Sequence, residues 1–154
     1  MELPKIIQKK VEQKIKNVKL SELRKVSEQI SNKYLGNKLG TNKSILNNEL
    51  EALVYSIMRM PATFAANTKV LEYVFRKVSP KEINNIIDIG AGVGTSAWAI
   101  LKYINNPNIL CIEKQKNMQS LGMYFMKNEQ ELRNVQWENL DILNDVIDKK
   151  ADLV

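Results

Sequence analysis

A chain of 154 residues with 44% hydrophobic and 26% charged side chains has enough apolar material for one ordinary domain with a core, and too much for a disordered tail. Its single cysteine, Cys111, stands in the apolar run from Ile109 to Ile112, which excludes an internal disulfide or a cysteine-built zinc or iron–sulfur site within this chain. No apolar stretch approaches the roughly 18 residues that a membrane span requires. The opening residues Met1 to Lys5 contain no signal core, and early acids with little Arg read against an organellar transit peptide, so the cytoplasm is the expected compartment.

The net charge of +6 is unevenly placed. Residues 1–80 hold 15 Lys+Arg against 7 Asp+Glu, whereas residues 81–154 hold 8 against 10. An N-terminal surplus of this kind fits a polyanion partner such as RNA; it equally fits a lysine-rich solvated helix face.

Residues 3–17 place Ile6, Ile7, Val11 and Ile15 at helical spacing, with Val18 following. Lys5, Lys9, Lys10, Lys14 and Lys16 fall largely on the other face, the pattern of a basic amphipathic helix. Ser21 is a candidate cap for a second helix, striped by Leu23, Val26, Ile30 and Tyr34 and ending near Gly36. A polar, glycine-bearing loop is expected between Gly36 and Ser44. A third helix is expected from about Leu46 to Arg59. Pro61 should end it, because the residue before proline is pushed away from helical dihedrals, and a fourth should run from about Ala62 to Lys77. These elements form an expected basic helical region over residues 1–80, closed by Ser79 and Pro80.

Over residues 81–154 the rhythm becomes β-α-β-α-β. The run Asn85 to Ile89 suits a strand buried on both faces, followed by a glycine turn and a helix that Thr95 or Ser96 could cap. A second strand is expected at Asn108 to Ile112, a helix at Met118 to Met126 and a third strand at Val135 to Leu140. Such alternation implies a parallel sheet with right-handed crossovers. Ala151 to Val154 begins a fourth apolar strand. The expected fold class is therefore α/β, a helical N-terminal region followed by the first half of a Rossmann-like sheet that stops at strand four.

The turn after the first strand carries the chemistry. Gly90, Gly92 and Gly94 let the backbone bend and approach a bound group, since no Cβ blocks the way. A dinucleotide fingerprint would place its third small residue at position 95, which is Thr95, so a nicotinamide-dependent oxidoreductase is disfavoured. Nineteen positions after Gly94, at the end of the second strand, Glu113 stands where nucleotide-binding α/β folds hold both ribose hydroxyls; alternatively it is a surface loop acid.

The run D-x-G-x-G-x-G from Asp88 to Gly94 resembles motif I of the class I S-adenosylmethionine-dependent methyltransferases. With the element Arg59, Met60, Pro61, Ala62, Thr63, Phe64, Ala65, Ala66 before it and Trp98 after it, the chain resembles the N-terminal half of the mitochondrial small-ribosomal-subunit-associated, methyltransferase-like proteins and their bacterial relatives. That resemblance implies an S-adenosylmethionine site formed by Asp88, Gly90, Ala91, Gly92, Gly94, Glu113 and Asp141, with Asp88 facing the cofactor's amino group or bracing the loop amides, and Asp141 near the adenine amine. It also implies association with the small ribosomal subunit or its rRNA, in assembly or translation, either as an enzyme or as a non-catalytic platform. The cysteines that some members use for an iron–sulfur cluster are absent, and cluster binding is not expected. Arg59 is left with two roles, a phosphate or cofactor contact or a cap on the preceding helix. No catalytic residue is assigned: substrate-orienting groups in this superfamily usually follow strand four, and His is absent.

Overall fold

The computed structural model describes residues 2–36 and 46–154, and the loop expected between Gly36 and Ser44 lies outside the described residues. Helices α1 (Lys5–Ile15), α2 (Leu20–Gly36) and α3 (Glu49–Val74) come first. Then follow β1 (Asn85–Ile89), α4 (Thr95–Ile100), β2 (Asn108–Ile112), α5 (Lys116–Met126) and β3 (Val135–Glu138).

The strands pair in parallel in the order β1-β2-β3, with Ile86 opposite Ile109, Ile109 opposite Val135, and Asp88 opposite Cys111. On the free edge of β1, Leu153 forms a parallel bridge with Ile86, and its carbonyl accepts the Ile87 amide at 3.0 Å. The chain thus moves outward from β1 to β3 and returns on the opposite side of β1. This reversal is a topological switch point, where parallel sheets place their ligands at the carboxyl ends of the strands. The α/β architecture expected from the sequence is present, including the start of the fourth strand.

One expected break is absent. Among the described residues three α-helices precede the sheet rather than four, because α3 runs through Pro61 without ending. Proline inside a helix removes a hydrogen bond and costs on the order of 3 kcal/mol. Packing on both sides outweighs this: Ala52, Leu53 and Val54 anchor the first half, and Met60, Phe64, Thr68 and Leu71 bury the second. Asn48 caps the helix, its side chain accepting the Glu51 amide at 2.8 Å.

Two other expected caps are also displaced. The Lys19 carbonyl, not Ser21, receives the first amides of α2, and Gly94 in a left-handed conformation precedes α4, leaving Thr95 and Ser96 inside its first turn.

One buried apolar cluster joins both parts of the chain, from Ile7 and Ile30 through Phe64 to Ile86, Cys111, Phe125 and Leu132. Part of the basic surplus is spent on this docking. Lys10 Nζ donates to the Phe125 and Lys127 carbonyls at 2.7 Å and to Glu129 Oε1 at 2.8 Å, so an ammonium sits at the carbonyl end of α5. Lys14 pairs with Glu49 and lies over the Tyr124 ring. On α5 itself, Gly122 has no room for a side chain, since a Cβ there would collide with the Trp137 ring.

Candidate functional site

β1 delivers the backbone to a loop in which Gly90, Gly92 and Gly94 have φ of 69°, 58° and 74°. Such dihedrals cost an ordinary L-residue roughly 1–2 kcal/mol each, which accounts for the alternating glycines. The loop is fastened to the end of β2, because the Gly90 and Ala91 amides both donate to the Ile112 carbonyl, at 2.9 and 3.0 Å. A Cβ on Gly90 would meet nothing within 4 Å, so open space lies above it. Gly94 serves packing instead: a Cβ there would run into Met126 and the Trp137 ring.

Glu113 is buried, and its carboxylate is the brace of this loop. Oε2 accepts the Gly92 amide at 2.9 Å and Oε1 accepts the Gln115 amide at 2.7 Å. A carboxylate offers about four acceptor positions, so each oxygen keeps one free for a ligand hydroxyl. Asn139 steadies the same strand end, donating to the carbonyls of Glu113 and Lys114 at 2.7 and 2.9 Å.

Two cavities meet at Gly90. One, of about 230 Å³, is bounded by Gly90, Glu113, Gln115 and Asp141. The other, of about 150 Å³, lies between the loop and α3 and is bounded by Tyr55, Arg59, Thr63, Ala91, Gly92 and Thr95, with Gly90 at its edge. Together they reach the lower part of the roughly 300–1,000 Å³ range of small-molecule sites. The structure therefore brings Gly90, Ala91, Gly92, Glu113 and Asp141 to one place, while Gly94 stands behind it.

Asp88 lies beside these cavities. It lines a third, largely apolar space with Asn67, Leu71, Ile100 and Leu153. Burial pushes its carboxyl up to about 6, opposed by a hydrogen bond from Ser96 and reinforced by the Glu113 charge. Its Oδ2 is buried with no partner. Ser96 also borders the loop cavity and accepts from Asn67 Nδ2 at 3.0 Å, so a chain from Asn67 through Ser96 to Asp88 links α3 to the strand end. The loop amide at Gly92 is braced by Glu113, and Asp88 is left with an orphaned acceptor.

Asp141 begins a turn. Its carboxylate accepts the Leu143 amide at 3.2 Å, the Lys114 ammonium at 3.1 Å and Asn144 Nδ2 at 3.0 Å, and these bonds, the amide foremost, hold it below the usual carboxylate range. Cys111 is fully buried, and burial pushes its thiol up, which suits packing rather than nucleophilic chemistry.

Tyr55, Ser56 and Asn67 were not singled out from the sequence, and Thr63 was named only within the element from Arg59 to Ala66. Ser56, Thr63 and Asn67 stand one to two helical turns apart along α3, with Tyr55 beside Ser56, and that spacing becomes meaningful only once α3 is known to lie against the loop.

The chain is thus an α/β protein with a parallel, Rossmann-like sheet and a glycine loop at its switch point, the place where such sheets put their ligands. The chain belongs to the family described as "Mitochondrial small ribosomal subunit Rsm22", whose model matches residues 49–154. No curated protein matches it. Among solved structures it is similar to the plantazolicin methyltransferase BpumL in complex with a monoazolic desmethylPZN analog and SAH, at 18% identity and a TM-score of 0.45 over 94% of this chain and 47% of that one. It is also similar to the S-adenosylmethionine-dependent methyltransferase SibL in its apo form, at 13% identity and a TM-score of 0.44 over 96% of this chain and 44% of that one. The chain spans a little under half the length of each.

Proposed function

We propose that this chain carries the cofactor-binding part of an S-adenosylmethionine-dependent, methyltransferase-like protein that associates with the small ribosomal subunit or its rRNA in assembly or translation. The observation that carries the reading is the glycine loop set between two cavities, with buried Glu113 bracing it and keeping acceptor positions free. The residues present fit the cofactor: open space above Gly90 admits its backbone-hugging part, Glu113 can receive the ribose hydroxyls, and Asp141 borders the adenosine side. The orphaned Oδ2 of Asp88 suits the cofactor's ammonium, reached through Ser96 or a water.

When bound, the cofactor supplies an activated methyl group on a sulfonium, and what this chain's residues contribute is positioning. The RNA half of the reading rests on cations that remain after docking. Lys5, Lys9, Lys16, Lys19, Arg24 and Lys25 are all exposed on α1, α2 and their junction and join no ion pair among the described residues.

Calorimetric titrations of the chain test both halves. S-adenosylhomocysteine should bind at one site, and a small-subunit rRNA fragment should bind with affinity falling on the order of tenfold or more between about 50 and 200 mM salt. No heat with the nucleoside would remove the cofactor reading, and a flat salt response would remove the RNA reading.

A further inference from the structure

The two cavities flanking the loop carry opposite charge. On the β2 side the acids are Glu113 and Asp141, and the one cation, Lys114, is tied to Asp141 at 3.1 Å. On the α3 side Arg59 is the sole charged residue of the lining, surrounded by the hydroxyls of Tyr55, Ser56, Thr63, Thr95 and Ser96. Arg59 is exposed and engaged in no ion pair among the described residues.

The structure also removes one role that the sequence left open for this side chain. Arg59 cannot cap a helix end beside Pro61, because α3 continues unbroken to Val74 and Arg59 stands in its middle. An exposed arginine that lines a cavity, in no ion pair among the described residues and far from either helix terminus, is open to an anion from outside the chain. Its planar fork matches a carboxylate two bonds at a time.

We propose that Arg59 binds the carboxylate of the cofactor's amino-acid end, so that the site selects S-adenosylmethionine over analogues lacking that group. This rests on the cofactor reading above and extends it. The ligand lies across Gly90 with its ribose at Glu113 and its carboxylate at Arg59, and the charge polarity of the two cavities fixes which way round it sits. The element from Arg59 to Ala66 then has a physical purpose: Arg59 and Thr63, one helical turn apart, face the loop from α3.

The test compares S-adenosylmethionine with its decarboxylated form, which differs only by the carboxylate, on the wild-type chain and on Arg59→Ala and Arg59→Lys. The wild type should prefer S-adenosylmethionine. Arg59→Ala should lose about 10- to 100-fold in affinity for it, the range of a charge-assisted pair, and change by less than about threefold for the decarboxylated form. Arg59→Lys should recover part of the loss, since it keeps charge without the fork. The decarboxylated ligand doubles as a control for folding. Equal losses for both ligands, or no loss for either, would overturn the role of Arg59 while leaving the cofactor reading intact. Loss of rRNA affinity alone would assign Arg59 to nucleic acid and equally overturn it. Binding of neither ligand by the wild type would end the cofactor reading and this proposal with it.

Discussion

Glu113→Ala is expected to destabilise the chain by about 2–5 kcal/mol and to abolish detectable binding of S-adenosylhomocysteine. The stability loss follows from two backbone amides, of Gly92 and Gln115, that lose the carboxylate they donate to at 2.9 and 2.7 Å. A partly buried amide that loses a charged acceptor costs roughly 1–3 kcal/mol. Water entering the vacated space would lower the figure, which sets the bottom of the range. On the proposed reading binding is lost for two reasons, since the ribose acceptor disappears and the loop at Gly92 is no longer held. Glu113→Gln separates them: it keeps one acceptor but turns an N–H₂ toward one of the two amides, so it should be less stable than wild type and bind more weakly. Urea unfolding and calorimetry on both variants provide the check. An unchanged unfolding midpoint with unchanged affinity would show that neither the loop nor the ligand depends on this carboxylate.

Asp88→Asn should act in the opposite direction on stability. An ordinary aspartate ionises near 3.8, whereas burial, aided by the Glu113 charge and opposed by Ser96, pushes Asp88 up to about 6. The folded state therefore holds its proton more tightly than the unfolded chain. Stability falls as pH rises from about 3.8 to about 6 and stays reduced above that window. The interval corresponds to about 3 kcal/mol at neutral pH. Asn keeps the acceptor for Ser96 and cannot ionise, so the variant should be about 1–3 kcal/mol more stable at pH 7, with the upper value reduced by its unpartnered buried amide. Its unfolding free energy should lose the slope between pH 4 and 6, and on the proposed reading cofactor affinity declines because the ammonium loses its counter-charge. Unfolding curves from pH 4 to 8 decide this. A variant less stable at pH 7 and equal at pH 4 would mean that Asp88 is a stabilising partner rather than a strained one.

Strain at Asp88 and the brace at Glu113 show different degrees of legibility. β1 and β2 could be read to the residue, because each is a short β-branched run bounded by Gly or Asn-Pro, and such local signals survive folding. The glycine loop was equally plain, since positive φ at three alternating positions leaves no other residue economical. The division of labour between two carboxylates was not. Both sit at strand ends, and only the register of β1 against β2 decides that Glu113 meets the Gly92 amide while Asp88 turns toward Ser96.

Pro61 misled for a related reason. The steric rule at residue 60 is local, and the burial of Met60 and Phe64 that overrides it is tertiary. Lys10 looked like one more lysine on a solvated face, yet it closes the end of α5 across more than a hundred residues of sequence. Arg59 and Thr63 were visible as part of a motif, but what they face depends on α3 lying along the loop. In each case the missing information was which element packs on which, and that is set by the shared core.

The central claim is that the loop from Gly90 to Gly94 is the seat of an S-adenosyl ligand. The chain contains six glycines, so selective ¹⁵N-glycine labelling yields a spectrum simple enough to follow by titration. On adding S-adenosylhomocysteine, the amide resonances of Gly90 and Gly92 should move in a saturable manner, Gly94 should move less, and Gly122, packed behind against Trp137, should stay in place. Saturating ligand that leaves Gly90 and Gly92 unmoved would contradict the account.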